Sequence, residues 1–168
     1  NMTADYYANM YRQFATYMHN TADNKLMKIA SGASDDDYLW TETLMKNIPN
    51  NMLGGVAMHH YSVIDWRKKG SAVNFTEQEY FTTMKRAVLM EELVTKHSAV
   101  MDKYDPKKKV ALVVDEWGGW YNVEQGTNPG FLYQQNSMRD AMIAGVTLNI
   151  FNNHSERVRV ANLAQTVN

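Results

Sequence analysis

The sequence predicts an α/β fold built on a parallel sheet, and three observations carry that prediction. Apolar runs of strand length alternate with segments of helical periodicity. No tight hairpin turn joins one apolar run to the next, so consecutive strands must be linked by helical crossovers. Polar and aromatic residues gather where each apolar run ends, which is where ligands sit in parallel α/β architectures. Four βα steps fit either half of a (β/α)8 barrel or a small doubly wound sheet, and periodicity alone does not choose between them.

In chain order, Tyr7, Met10, Tyr11, Phe14 and Met18 follow the spacing of an amphipathic helix, with Thr3 as its N-cap. A short strand is expected over Lys25–Ala30, closed by Ser31-Gly32-Ala33-Ser34. Asp35, Asp36 and Asp37 stand where acids favour a helix start, and that helix runs through Leu39 and Leu44 to a stop at Pro49. Gly54–Tyr61 reads as the second strand, followed by a polar loop over 65–74. Thr76 and Glu79 form a capping box, and Phe75 with Tyr80 a hydrophobic staple, opening a long helix from Glu77 to about Tyr104. Asp105-Pro106 breaks it. The third strand is expected over Val110–Val114, then a loop over Gly118–Gly130, a helix over Gln134–Thr147 and a fourth strand over Val158–Ala164.

The chain has 168 residues, 45% hydrophobic and 21% charged, which suits one globular unit. A net charge of −1 gives no electrostatic case for a nucleic-acid or anionic-membrane partner. Without cysteine there is no disulfide framework, thiolate metal site or cysteine nucleophile. No apolar run approaches the ~20 residues that span a bilayer. The chain opens directly on a helical period and closes on Ala-Gln-Thr-Val-Asn, so a piece of a longer polypeptide is expected.

The chemistry concentrates at the strand ends. Glu116 is bracketed by an apolar strand and by Trp117 and Trp120, surroundings that desolvate a carboxylate unless it is paired or used. It is either a strand-end acid paired with a lysine or cap, or a reactive group. Strict alternation sends Asp115 to the opposite face, leaving Glu116 as the acid at the sheet's mouth. Trp117 is expected to cover the rim, and Trp120 to contact a ligand, since an indole beside a carboxylate suits the apolar face of a sugar ring. His59 and His60 point to opposite faces, so one should be a satisfied core histidine. The other would line a polar pocket with Tyr61, or bind a metal with Asp65. Phosphate loops, dinucleotide fingerprints and nucleophile elbows are absent from the sequence. Carboxylate chemistry remains, and in a (β/α)8 frame it points to glycoside hydrolysis.

Several of these segments resemble one family. Asp115-Glu116-Trp117 with Trp120 is similar to the nucleophile segment, at the end of strand seven, of family-51 glycoside hydrolases, the retaining α-L-arabinofuranosidases. Met58-His59-His60-Tyr61 resembles that family's strand-six motif, with Met58 in place of the usual leucine. Arg139-Asp140-Ala141, Ala144-Gly145, Leu148-Asn149-Ile150-Phe151 and the stretch from Ala161 to Asn168 are similar to its run into strand eight. The resemblance covers nearly the whole chain. It implies that residues 1–168 supply strands five to eight of a (β/α)8 TIM barrel, with the first half of the barrel and a following β-sandwich lying outside them.

Carried over by position, the resemblance makes Glu116 the nucleophile, has Tyr61 orient it with His59 behind, places Trp120 beside the arabinofuranosyl ring and has Gln165 bind sugar hydroxyls. It implies no cofactor and no metal. The acid/base glutamate, in an Asn-Glu motif at the end of strand four, would lie ahead of Asn1. The implied partners are arabinan- or arabinoxylan-type saccharides, the missing half-barrel and sandwich, and further copies in a homo-oligomer. The expected location is the cytoplasm or periplasm rather than the exterior. A half-barrel should leave Val113, Leu148, Ile150 and Phe151 facing absent partners. Two competing readings are a non-catalytic carbohydrate-binding or structural fragment, and a metal-dependent hydrolase using His59 and Asp65.

Overall fold

Thr76 accepts from the Glu79 amide at 3.2 Å while the Glu79 carboxylate takes the Thr76 amide at 2.7 Å, so two orphan donors of a helix start are satisfied reciprocally. Phe75 stacks on Tyr80 beside this box. The helix they open, α3, runs Glu77–Tyr104, as the capping box and the Asp105-Pro106 break predict. Thr3 caps α1 (Ala4–Tyr17) and Asp37 caps α2 (Tyr38–Asn47) by the same physics. The structure, a computed structural model, describes residues 2–164.

Four strands, β1 (Ile29–Ser34), β2 (Gly55–Ser62), β3 (Ala111–Gly119) and β4 (Val158–Leu163), form one sheet in the order β1-β2-β3-β4, every pair parallel. The helices between them, with α4 (Met138–Asn153) last, pack in a row: α1 on α2, α2 on α3, α3 on α4. Strand order therefore follows chain order without reversal. Alternation then divides the strands. Val56, Met58, Leu112, Val114 and Trp117 join the core with Leu44, Met90, Leu93 and Phe151 from the helices. Each fully buried side chain of this size contributes about 1.5–3 kcal/mol relative to exposure.

Three elements, β1, β3 and α4, differ most in extent from the sequence expectation, each for a local reason. β1 starts at Ile29 and includes Ser31–Ser34. Those small residues permit close pairing: a Cβ on Gly32 would lie 1.5 Å from the Ala57 carbonyl oxygen. β3 continues three residues past the acids to Gly119, because Tyr61 and Ser62 of β2 pair with Gly118 and Gly119. Gly118 has φ +142° and passes under the Ala164 carbonyl, a path that a side chain would obstruct. α4 starts at Met138 because Ser137 and Asp140 form a second capping box, and it continues to Asn153 because Ile150 and Phe151 extend its buried face.

Val113, Ile150 and Phe151 are buried within the chain, contrary to the half-barrel expectation, whereas Leu148 is exposed. Ile150 and Phe151 belong to a helix that packs on the sheet, with Phe151 edge-on to Trp117 at 5.2 Å. Trp117 is thus a core residue at 2% exposure rather than a rim residue.

The amino ends of β3 and β4 are tied to the end of α3 by one buried arginine. Arg157 donates to Asp105 Oδ2 at 3.1 Å, to the Val110 carbonyl at 2.8 Å and to the Asp105 carbonyl at 3.0 Å, and it also pairs with Asp102. Asp105 Oδ2 accepts the Val110 amide as well, at 2.7 Å. Removing one partner of such a pair strands the other charge away from water. Asp105→Ala should therefore cost about 3–5 kcal/mol in urea unfolding; a loss below about 1 kcal/mol, the value of a surface pair, would show that Arg157 does not hold these strands.

Candidate active site

Register decides what the carboxyl ends of β2 and β3 display. Between Ala57↔Val113 and His59↔Glu116, β3 uses one residue more than β2. It uses one more than β4 between Val114↔Ala161 and Trp117↔Leu163. The extra residue is a bulge at Val114–Glu116, and bulges re-aim side chains at barrel rims and active sites. Strict alternation is lost there, so Asp115 does not turn away from Glu116 as predicted. His59 touches both acids: Nδ1 lies 3.6 Å from Glu116 Oε2, and Nε2 lies 3.1 Å from Asp115 Oδ1 at an angle outside a hydrogen bond.

Glu116 is open to the cleft, its side chain 48% exposed. Tyr61 donates its hydroxyl to Glu116 Oε2 at 2.8 Å. Burial, then the hydrogen bond to Glu116, raises the Tyr61 phenol well above the usual tyrosine range, so it stays a protonated donor. The Tyr61 ring meets Trp120 edge-on at 4.8 Å. These groups line a cleft of about 490 Å³ with Gly119, Leu132, Gln134, Asn162 and Leu163. A second cleft of about 530 Å³ lies on the other side of Tyr61, against Asp35, His60, Asp65 and Trp66.

His60 is the satisfied core histidine. It is 4% exposed, with Nε2 donating to the Arg86 carbonyl at 2.8 Å and Nδ1 2.5 Å from Asp35 Oδ1. Asp35 adopts φ +50°, unusual for a residue with a side chain, and its carbonyl accepts from buried His97 at 2.8 Å. Burial lowers the His97 pKa, which favours the neutral ring.

Arg139, only 1% exposed, braces the loops around the cleft. Its guanidinium lies 3.8 Å from the centroids of both Phe75 and Tyr121 and donates to the Ser71 and Ala72 carbonyls. Gln134 takes the Tyr121 amide and donates to the Gly119 carbonyl, holding the segment that carries Trp120.

Four of the five residues singled out from the sequence, His59, Tyr61, Glu116 and Trp120, come together here; Gln165 lies outside the described residues. Asp65 instead accepts the Arg67 amide, and no group of three potential metal-ligating side chains occurs among the described residues. Sequence reasoning missed Trp66, which meets Trp120 edge-on at 5.6 Å, and Lys69, whose ammonium lies over both indoles. A tryptophan beside three cations in a strand-end loop was the available signal.

An "Intracellular exo-alpha-L-arabinofuranosidase" of Bacteroides ovatus is 46% identical over all of this chain and 33% of its own length. The crystal structure of the GH51 arabinofuranosidase from Xanthomonas axonopodis pv. citri superposes with a TM-score of 0.96, at 51% identity, over all of this chain and 34% of that one. This chain is homologous to family-51 arabinofuranosidases. The arabinose complex of the Thermotoga maritima α-L-arabinofuranosidase matches at TM-score 0.75 and 25% identity, over 99% of this chain and 31% of that one. The profile described as "Alpha-L-arabinofuranosidase C-terminal domain" matches residues 115–168. The chain spans about a third of the length of each of these three proteins. Among its described residues no helix is long and apolar enough to cross a membrane.

The two histidines should separate in stability measurements. His60→Ala removes a buried ring that engages both Asp35 and the Arg86 carbonyl and should cost about 2–4 kcal/mol in urea unfolding. His59→Ala, at a half-exposed position, should cost less than about 1 kcal/mol. Equal losses would contradict the division into a structural and a cleft histidine.

Proposed function

We propose that this chain carries the nucleophile half of a retaining α-L-arabinofuranosidase, the complete protein removing terminal arabinofuranosyl groups from arabinan- or arabinoxylan-type saccharides. The observation that carries this reading is the hydrogen bond from Tyr61 to Glu116, which fixes an exposed carboxylate at the carboxyl end of a parallel sheet beside Trp120. Active sites of (β/α)8 enzymes lie at that end. Strand order that follows chain order, with helices packed in a row, supports residues 1–168 as strands five to eight of such a barrel. The first half-barrel and a β-sandwich complete the protein, which assembles as a homo-oligomer. The name of the Bacteroides ovatus relative supports an internal location, in the cytoplasm or periplasm.

In the mechanism, Tyr61 holds Glu116 Oε2, leaving Oε1 to attack the anomeric carbon. The glycosidic bond breaks as the leaving oxygen takes a proton from the acid/base glutamate, which lies on the preceding half-barrel about 5 Å from Glu116. Water, deprotonated by that same glutamate, then releases arabinose and restores Glu116 with net retention. His59, between Asp115 and Glu116, steadies both carboxylates. Trp120 covers the ring, and Gln165 takes sugar hydroxyls.

Glu116→Ala in the complete protein should abolish turnover of an aryl arabinofuranoside by several orders of magnitude while the fold survives, because an exposed carboxylate adds little to packing. Azide, small enough for the space vacated, should restore part of the turnover toward an activated substrate and yield the glycosyl azide of inverted configuration. Near-normal turnover of the variant without azide would sink the nucleophile assignment.

A further inference from the structure

Trp66, Arg67, Lys68 and Lys69 follow β2 in the polar loop beside the cleft. The loop folds back so that the Lys69 ammonium lies 4.6 Å from the Trp120 ring centroid and 5.8 Å from that of Trp66. Lys69 is half-buried, yet among the described residues its ammonium forms no ion pair. A cation over an indole face is partly compensated by the ring quadrupole, but its three N–H donors still seek oxygen acceptors. The two indoles that hold this cation each line a cleft.

The position of Lys69 gives it a use. Trp120 lines the cleft that holds Glu116, Trp66 lines the second cleft, and Tyr61 lines both. Lys69 therefore sits on the ridge where the two clefts meet, two ring contacts outward from Tyr61. Trp66 is 55% exposed and offers a flat apolar face beside that ammonium. Three of the acids lining the second cleft are already engaged: Asp35 by His60, Asp65 by the Arg67 amide and Glu92 by Lys96. Arg67 and Arg86 also line that cleft, with Asp36, but Lys69 is the cation that bears on both Trp66 and Trp120.

We propose that Lys69 is a specificity-determining residue that binds the carboxylate of a uronic acid neighbouring the arabinofuranosyl group, the ring of that acid resting on Trp66. The preferred substrates are then acidic, uronate-bearing arabinofuranosyl oligosaccharides. This inference rests on the arabinofuranosidase reading above and names its substrate class.

The complete enzyme is assayed on a matched pair: a uronate-bearing arabinofuranosyl oligosaccharide, and the same compound with its carboxylate reduced to the alcohol. The acidic member should be cleaved with up to about fivefold higher kcat/KM, the scale of a partly exposed ion pair. Raising salt to about 0.5 M should shrink that ratio, because screening acts on such pairs. Lys69→Met, which keeps the alkyl stem over the indoles, should bring the ratio to one, and Lys69→Glu should invert it. Lys107→Met, an exposed control that removes the same charge at the amino end of β3, should keep the wild-type ratio. Equal cleavage of the pair by wild type, or a preference that persists in Lys69→Met, would overturn the inference and leave the arabinofuranosidase reading standing. No cleavage of either compound would overturn that reading and the inference with it.

Discussion

One surplus residue in β3 determines what the site can be. Val114–Glu116 uses three positions where β2 and β4 each use two. Without the bulge, Asp115 and Glu116 would point to opposite faces and only one could reach the cleft. With it, His59 on β2 lies against both acids and Tyr61 reaches Glu116 at 2.8 Å. Upstream, Leu112 and Val114 still face the helices, and downstream Trp117 returns to the core against Phe151. The bulge is confined to the segment that carries the two acids.

That arrangement depends on parts that are rigid because they are buried and hydrogen-bonded. His60 fixes the end of β2 to Asp35 at the end of β1 and to the Arg86 carbonyl on α3. Arg139 spans the loop after β2 and the segment after β3 from the first turn of α4, between two aromatic rings. Trp66 and Trp120 lie on those two segments and meet edge-on. The cleft residues themselves, His59 and Glu116, remain half-exposed. A rigid scaffold thus carries an accessible carboxylate, the arrangement that the proposed nucleophile role calls for.

Helix starts were legible because capping is local: Thr3, Asp37 and the Thr76/Glu79 box act where the sequence places them. The start of α4 lies at Ser137 and Asp140, which carry the same signature, while Gln134 is drawn out of the helix by its bonds to the Tyr121 amide and the Gly119 carbonyl. Strand ends were less legible. β1 holds residues with turn-like composition, and β3 runs through two acids, since pairing across the sheet outweighs local preference. Glu116, Tyr61, His59 and Trp120 could be read from their place after apolar runs. The company that Asp115 keeps could not, because a bulge is set by the register of two neighbours. Trp66 and Lys69 were hidden for a similar reason: only the fold of their loop brings them to Trp120.

The central claim is that Glu116 forms a bond to the sugar. Its most direct test is mass spectrometry of the complete protein after reaction with a 2-fluoro-substituted arabinofuranoside carrying a good leaving group, since the fluorine slows both steps and the leaving group restores only the first, so the intermediate accumulates. The protein should gain the mass of one fluoroarabinosyl group, and a peptic digest should place that mass on Glu116. A label on Asp115 or another acid, or turnover with no covalent adduct, would contradict the account.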